Sequence, residues 1–208
     1  MRQFLLLAII LASTQVPGKL AGQTDEWSLE VEENGVRVYV RPEAGSDMSV
    51  RVVTTAQTSV AAVKKVLDDA PAYPEWVHRC EEAYVAPGGT PDDYVYYSHI
   101  DMPFPFQDKE VVARIHQSAN PSTGVLTRTI TAEPDALPAN KGRDRLTAYE
   151  AVWILTPKAG GRVEIICQVR TSAGSGLPMW LRKEIMTGGP AQTVANLKER
   201  LERMGPVK

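Results

Sequence analysis

The stretch DYVYYSHIDMPFPFQDKEVVARIHQSANPSTGVLTRTITAEP, Asp93 to Pro134, decides the fold. It holds three runs that read as extended chain, DYVYYSHIDM, EVVARIHQSA and GVLTRTITAEP. Pro103-Phe104-Pro105 parts the first two and Pro121-Ser122-Thr123-Gly124 the last two, and neither break has room for a crossover helix. Strands joined that closely must pair antiparallel. Alternation puts Tyr94, Tyr96, Ser98 and Ile100 on one face and Val95, Tyr97, His99 and Asp101 on the other. Working outward, EEAYVAP precedes these runs, beyond Gly88-Gly89. DRLTAYEAVWILTP and RVEIICQVRT follow them, after a 134–144 loop and with Ala159-Gly160-Gly161 between them. Tyr149, Ala151, Trp153 and Leu155 share one face, as do Val163, Ile165, Cys167 and Val169.

Further upstream, WSLEVEE and VRVYVRP flank Asn34-Gly35, the strongest short hairpin signal. A third strand is expected from Ser49 to Thr55. The period then changes: Val60, Val63 and Leu67 sit at helical spacing, with Thr58 or Ser59 as N-cap. Asp68-Asp69 and Pro71 end that helix, and PAYPEWV forms a short second one. At the C-terminus, Val194, Leu197, Leu201 and Met204 form an amphipathic stripe. Leu181, Ile185 and Met186 make a shorter apolar set ahead of it, with Gly188-Gly189-Pro190 expected to break the two apart, either as a hinge or as a static kink that lets the two sets pack differently. The fold class is α+β: a curved antiparallel sheet whose concave face is covered by one long C-terminal helix.

The chain of 208 residues suits one domain behind a short leader. Residues 1–22 carry Arg2, an apolar run from Phe4 to Ala12 and a polar end with Pro17 and Gly18, the pattern of a cleaved secretory signal. The run is about half the ~20 residues that span a bilayer. The mature domain is then 23–208, exported to the periplasm or beyond. Removing Arg2 and Lys19 from the 23 basic residues leaves 21 against 25 acidic ones, which speaks against nucleic acid as a partner. Cys80 and Cys167 are too few for a disulfide scaffold; two separate buried thiols are expected, with a single bridge between them as the alternative in an exported chain.

Motifs for familiar chemistry are missing: no G-x-S-x-G, phosphate loop, dinucleotide fingerprint or H-E-x-x-H occurs. His78, His99 and His116 lack metal-ligand spacing, so no metal and no cofactor is expected. The adjacent pairs Asp68-Asp69 and Glu81-Glu82 read as solvated or capping. Gly174-Ser175-Gly176 reads as a strand-to-helix turn.

Six phrases in order resemble the START domain, the lipid-transfer domain related to the steroidogenic acute regulatory protein. They are W-x-L-x-x-x-x-N-G-V-x-V-Y-x-R (Trp27–Arg41), V-L-D-D-A-P-A-Y-P-E-W-V-x-x-C (Val66–Cys80) and Y-Y-x-x-I-D-M-P-F-P-F (Tyr96–Phe106), followed by W-I-L-T-P (Trp153–Pro157), G-L-P-M-W-L (Gly176–Leu181) and Asn196-Leu197. Where the family pattern has Arg-Asp after the proline-rich turn, this chain has Lys109-Glu110. Sterol-binding members often carry a buried carboxylate–arginine pair, whereas the matching strand face here offers Ser98 and Ile100.

The resemblance implies a helix-grip fold around one lipid-sized tunnel. It implies non-covalent binding, with transfer between membranes, of a lipid or other hydrophobic small molecule, and transient membrane contact. The faces above nominate Tyr96, Ser98, Ile100, Tyr149, Trp153, Ile165 and Cys167 as lining from the sheet. Leu181, Ile185, Val194 and Leu197 line it from the helix, with Gly188, Gly189 and Pro190 as lid hinge. Two rivals stand beside this reading. One is a cyclase- or hydratase-like enzyme of the same fold, which would need Tyr97, His99, Asp101 and Arg114 to converge on the cavity. The other is an interaction module with a filled core.

Overall fold

A computed structural model describes residues 26–43, 48–171 and 178–205. The leader and Gly174-Ser175-Gly176 lie outside them. Ten strands form one sheet: β1 (Ser28–Glu33), β2 (Val36–Pro42), β3 (Met48–Gln57), β4 (Cys80–Val85), β5 (Asp93–Ile100), β6 (Lys109–Ala119), β7 (Leu126–Ala132), β8 (Asp144–Arg145), β9 (Tyr149–Lys158) and β10 (Arg162–Thr171). The order across the sheet is β1-β2-β3-β10-β9-β7-β6-β5-β4, every neighbour antiparallel. Asn34 and Gly35 take φ of 51° and 75°, the left-handed pair that a two-residue hairpin turn demands.

The sequence reading merged DRLTAYEAVWILTP into one strand, but the structure splits it. Asp144–Arg145 pairs parallel with the start of β6, and the chain enters β9 only at Tyr149. The reason is Arg145, whose guanidinium turns to the outer face of β6 to meet Glu110 at 2.8 Å. PAYPEWV is tighter than an α-helix: Ala70–Glu75 is a 3-10 turn. Helix α1 (Val60–Asp68) starts at Ser59, whose side chain accepts from the Ala62 amide.

The expected break at Gly188-Gly189-Pro190 is absent. Helix α2 (Met179–Lys183), a π-turn (Glu184–Gly188) and helix α3 (Gly189–Met204) run on as one rod, with Gly188 and Gly189 both in ordinary right-handed helical geometry. Pro190 has no N–H to give and its ring crowds the carbonyl one turn back, and the π-turn occupies that preceding turn. The rod lays Val194, Leu197 and Leu201 onto the sheet's inner face, where Val52, Leu155 and Ile165 are fully buried. Cys80 and Cys167 are both free and buried.

Candidate functional site

Between the sheet's inner face and the first half of the C-terminal rod lies a cavity of about 210 Å3. The strand register explains its shape. Tyr96 pairs with Ala113, Ser98 with Val111, Ile100 with Lys109 and Cys167 with Trp153, so small residues sit beside large ones and leave space above them. Of the residues expected to line it, Tyr96, Ser98, Ile100, Tyr149, Trp153 and Cys167 do so from the sheet. Leu181 and Ile185 do so from the rod, joined by Gly189 and Pro190. Ile165, Val194 and Leu197 do not line it: each is 0% exposed, packed where helix and sheet touch directly.

The sequence reading missed one wall. Tyr73, Trp76, Val77, His78 and Arg79, from the 3-10 turn and the link into β4, close the side of the cavity. Met102 and Leu146 add to the end bounded by Ile100. Lys109 could have been found, because alternation with Val111 and Ala113 puts it on the apolar face of β6.

Few polar atoms face this space, and most are engaged. The Tyr73 hydroxyl donates to the Leu67 carbonyl at 2.6 Å, and the Tyr96 and Tyr149 hydroxyls share a hydrogen bond. Ser98 Oγ lies 3.5 Å from Cys80 Sγ. Burial pushes the Tyr73 hydroxyl and the Cys167 thiol up to about 12, and Tyr96 and Tyr149 upward too. These groups stay neutral at physiological pH, so Cys167 offers no thiolate. The half-exposed lining residues gather at one end, the mouth. There His78 Nε2 meets Glu184 Oε1 at 2.9 Å, Arg79 meets Asp101 at 3.0 Å, and Lys109 meets Asp144 at 2.7 Å.

Tyr97, His99, Asp101 and Arg114 do not converge on the cavity. The strand positions of Tyr97, His99 and Arg114 face the opposite side of the sheet, and Asp101 lies just past the end of β5, paired with Arg79. The Tyr97 hydroxyl accepts from Asn140 and Arg143, His99 pairs with Asp108 at 2.7 Å, and Arg114 pairs with Asp93 and Glu133. The arrangement that would have favoured an enzyme is not formed by these four residues.

The two glycines differ in what they do. A Cβ on Gly189 would sit 3.5 Å from the Glu184 carbonyl, an ordinary contact, whereas one on Gly188 would come within 2.5 Å of Glu184 Oε2. Gly189→Ala is therefore expected to stabilise the protein by about 0.5–1 kcal/mol, since alanine has less freedom to lose in a helix. Gly188→Ala should gain less, because the new methyl pushes the Glu184 carboxylate off His78. Urea midpoints of the two variants check this, and equal gains would overturn it.

No family model matches the chain. An uncharacterized protein of Pseudomonas aeruginosa is 30% identical over 180 residues, covering 86% of this chain and 88% of its own. The crystal structure of a STAR-related lipid transfer protein fragment from Xanthomonas axonopodis superposes with a TM-score of 0.77 at 28% identity, covering 86% of this chain and 99% of that one. Human StAR-related lipid transfer protein 5 shares the fold, with a TM-score of 0.72 at 15% identity over 87% of this chain and 88% of its own. With the curved sheet, the overlying C-terminal rod and the cavity between them, these likenesses bear out the resemblance to the START, or StAR-related lipid-transfer, family: the chain has the fold of that family and is 28% identical to a bacterial structure that carries its name.

Proposed function

We propose that this protein binds one lipid or other hydrophobic small molecule in the cavity, without covalent chemistry, and carries it between membranes. The observation that supports this most is the lining itself: an apolar enclosure whose tyrosine hydroxyls are neutral and hydrogen-bonded within the protein. Removing apolar ligand surface from water is worth about 25 cal/mol per Å2, so such a space holds a hydrophobic guest with few polar contacts. The volume of about 210 Å3 is below the ~300–1,000 Å3 of small-molecule pockets. A whole lipid therefore requires the α2 end of the rod to move outward. Phe104 and Trp180 support membrane contact. They are 96% and 59% exposed and lie close in sequence to the lining residues Met102 and Leu181. We also propose that residues 1–22 are a leader and that the mature protein works outside the cytoplasm.

Protein isolated from its native host and extracted into organic solvent tests this reading. Mass spectrometry is expected to find a chain beginning near Gln23 with about one hydrophobic molecule per chain. Folded Ser98→Asp and Trp153→Glu variants should lose binding of a fluorescent lipid probe, since an unpaired charge in an apolar enclosure costs several kcal/mol. Unchanged probe binding by those variants would remove the cavity from the account.

A further inference from the structure

The mouth carries a charge pattern that the apolar lining does not need. Strand register puts Cys80, Ile100 and Lys109 side by side across β4, β5 and β6, and Arg79 and His78 directly precede Cys80. Three basic residues thus line one rim of the cavity. Lys109 stands on the inner face of β6, in series with Val111 and Ala113. Its stem lies along apolar surface and its ammonium reaches out at the edge. The carboxylates that meet Arg79 and Lys109, Asp101 and Asp144, lie off the lining. Among the described residues Glu184 is the only acidic group that lines the cavity, and His78 meets it.

Two further features mark this rim. Arg79 holds a left-handed backbone conformation, φ 57°, which an ordinary side chain adopts only under constraint from its surroundings. The Nε of Arg79 and the Nε1 of Trp76 are buried donors of lining residues that have no hydrogen-bond partner among the described residues. Buried donors of this kind are uncommon and call for an acceptor. All these groups offer protons or positive charge, His78, Arg79 and Lys109 from the rim and the Trp76 indole from the buried side wall of the cavity.

Building on the hydrophobic-ligand reading above, we propose that the ligand is a single-chain amphiphile with an anionic head. Its chain lies on the Trp153–Cys167 floor, and its head meets Lys109 and Arg79 at the mouth. A carboxylate or phosphate accepts several hydrogen bonds, and charge-assisted bonds are the stronger kind. The head competes with Asp101 and Asp144 for these two cations, while the apolar chain supplies the affinity that neither carboxylate has.

Calorimetry at pH 8 with decanoate and 1-decanol, which share a chain and differ in the head, tests the proposal on the mature protein. Decanoate is expected to bind about tenfold more tightly than decanol, the worth of one good charged contact at a half-exposed site. That preference should shrink in high salt. Lys109→Met should remove most of the preference and Lys109→Arg should keep it, with circular dichroism showing both variants folded. Equal affinity of the native protein for the two ligands would overturn the anionic head while leaving the cavity reading in place. So would a preference that survives in Lys109→Met. Binding of neither ligand would overturn both readings together.

Discussion

Asp68→Asn is expected to cost about 3 kcal/mol of folding stability, although Asp68 itself is one-third exposed. The cost falls on its partner. Arg128 is 1% exposed on the inner face of β7, between Leu126 and Ile130. Its Nη1 reaches Asp68 Oδ1 at 2.6 Å and Gln117 at 3.3 Å, its Nη2 donates to the Tyr73 hydroxyl at 3.3 Å, and its guanidinium lies 5.6 Å from the Tyr94 ring. Without the carboxylate, a buried cation keeps only neutral acceptors. Arg128→Met should cost less, because an apolar side chain of similar volume needs no partner and Asp68 keeps Lys64 at 2.7 Å. For a domain of this size, a 3 kcal/mol loss lowers the melting temperature by roughly 6–12 °C. Urea and thermal denaturation of both variants check the asymmetry, and equal losses would refute it.

The pair also sets an acid limit. Burial raises the Asp68 carboxyl, but hydrogen bonds from Lys64 and Gln117 and the Arg128 charge outweigh it, and the net direction is down. A carboxylate held lower when folded contributes stability above its unfolded value and loses it as pH falls through the folded one. Asp68→Asn should therefore flatten part of the acid limb while lowering the plateau at neutral pH.

Asp68 shows where sequence reading stops. It ends a helix beside Asp69, where acids are usually solvated, and its partner stands sixty positions later on another element. The one visible trace was Arg128 itself, a cation at an inward position in LTRTITA. The fold was legible for the opposite reason. Strand alternation, the Asn34-Gly35 turn and the Val194–Leu197–Leu201 stripe are all local signals, and each agreed with the others. Lining residues on strands followed from the same alternation. Those on the Tyr73–Arg79 wall did not, because a 3-10 turn and an irregular link have no period to read. The Gly188-Gly189-Pro190 expectation failed because composition reports what a backbone can do, not what it does. Packing of Leu181 and Met186, 1% and 5% exposed, holds both glycines helical.

Arg145→Met should be as costly, about 3–5 kcal/mol, and should reach the cavity from the far side of the sheet. Glu110 is 0% exposed although its strand position faces outward, because the segment between β7 and β9 folds over it. Arg145 Nε meets its Oε1 at 2.8 Å and Asn140 Nδ2 meets its Oε2 at 2.8 Å. The rest of the Arg145 guanidinium binds the carbonyls of Pro134, Leu137 and Pro138, so one side chain holds the covering segment in its turn. Burial raises the Glu110 carboxyl, but the Asn140 and Arg145 hydrogen bonds more than offset this and hold it low, so it stays ionised at neutral pH. Loss of Arg145 leaves that charge with only neutral donors, Asn140 and the Tyr97 hydroxyl. The same segment carries Leu146, whose amide donates to the Glu110 carbonyl at 2.9 Å and whose side chain lines the mouth. It also carries Asp144, the partner of Lys109. Hydrogen exchange at Asp144 and Leu146 should therefore quicken in Arg145→Met, beyond the rise expected from global destabilisation. Adding Glu110→Leu should recover stability, since removing both charges leaves no buried ion without a partner, and the two changes will not add. A double variant no more stable than Arg145→Met would mean that the lost carbonyl contacts, not the stranded carboxylate, carry the cost.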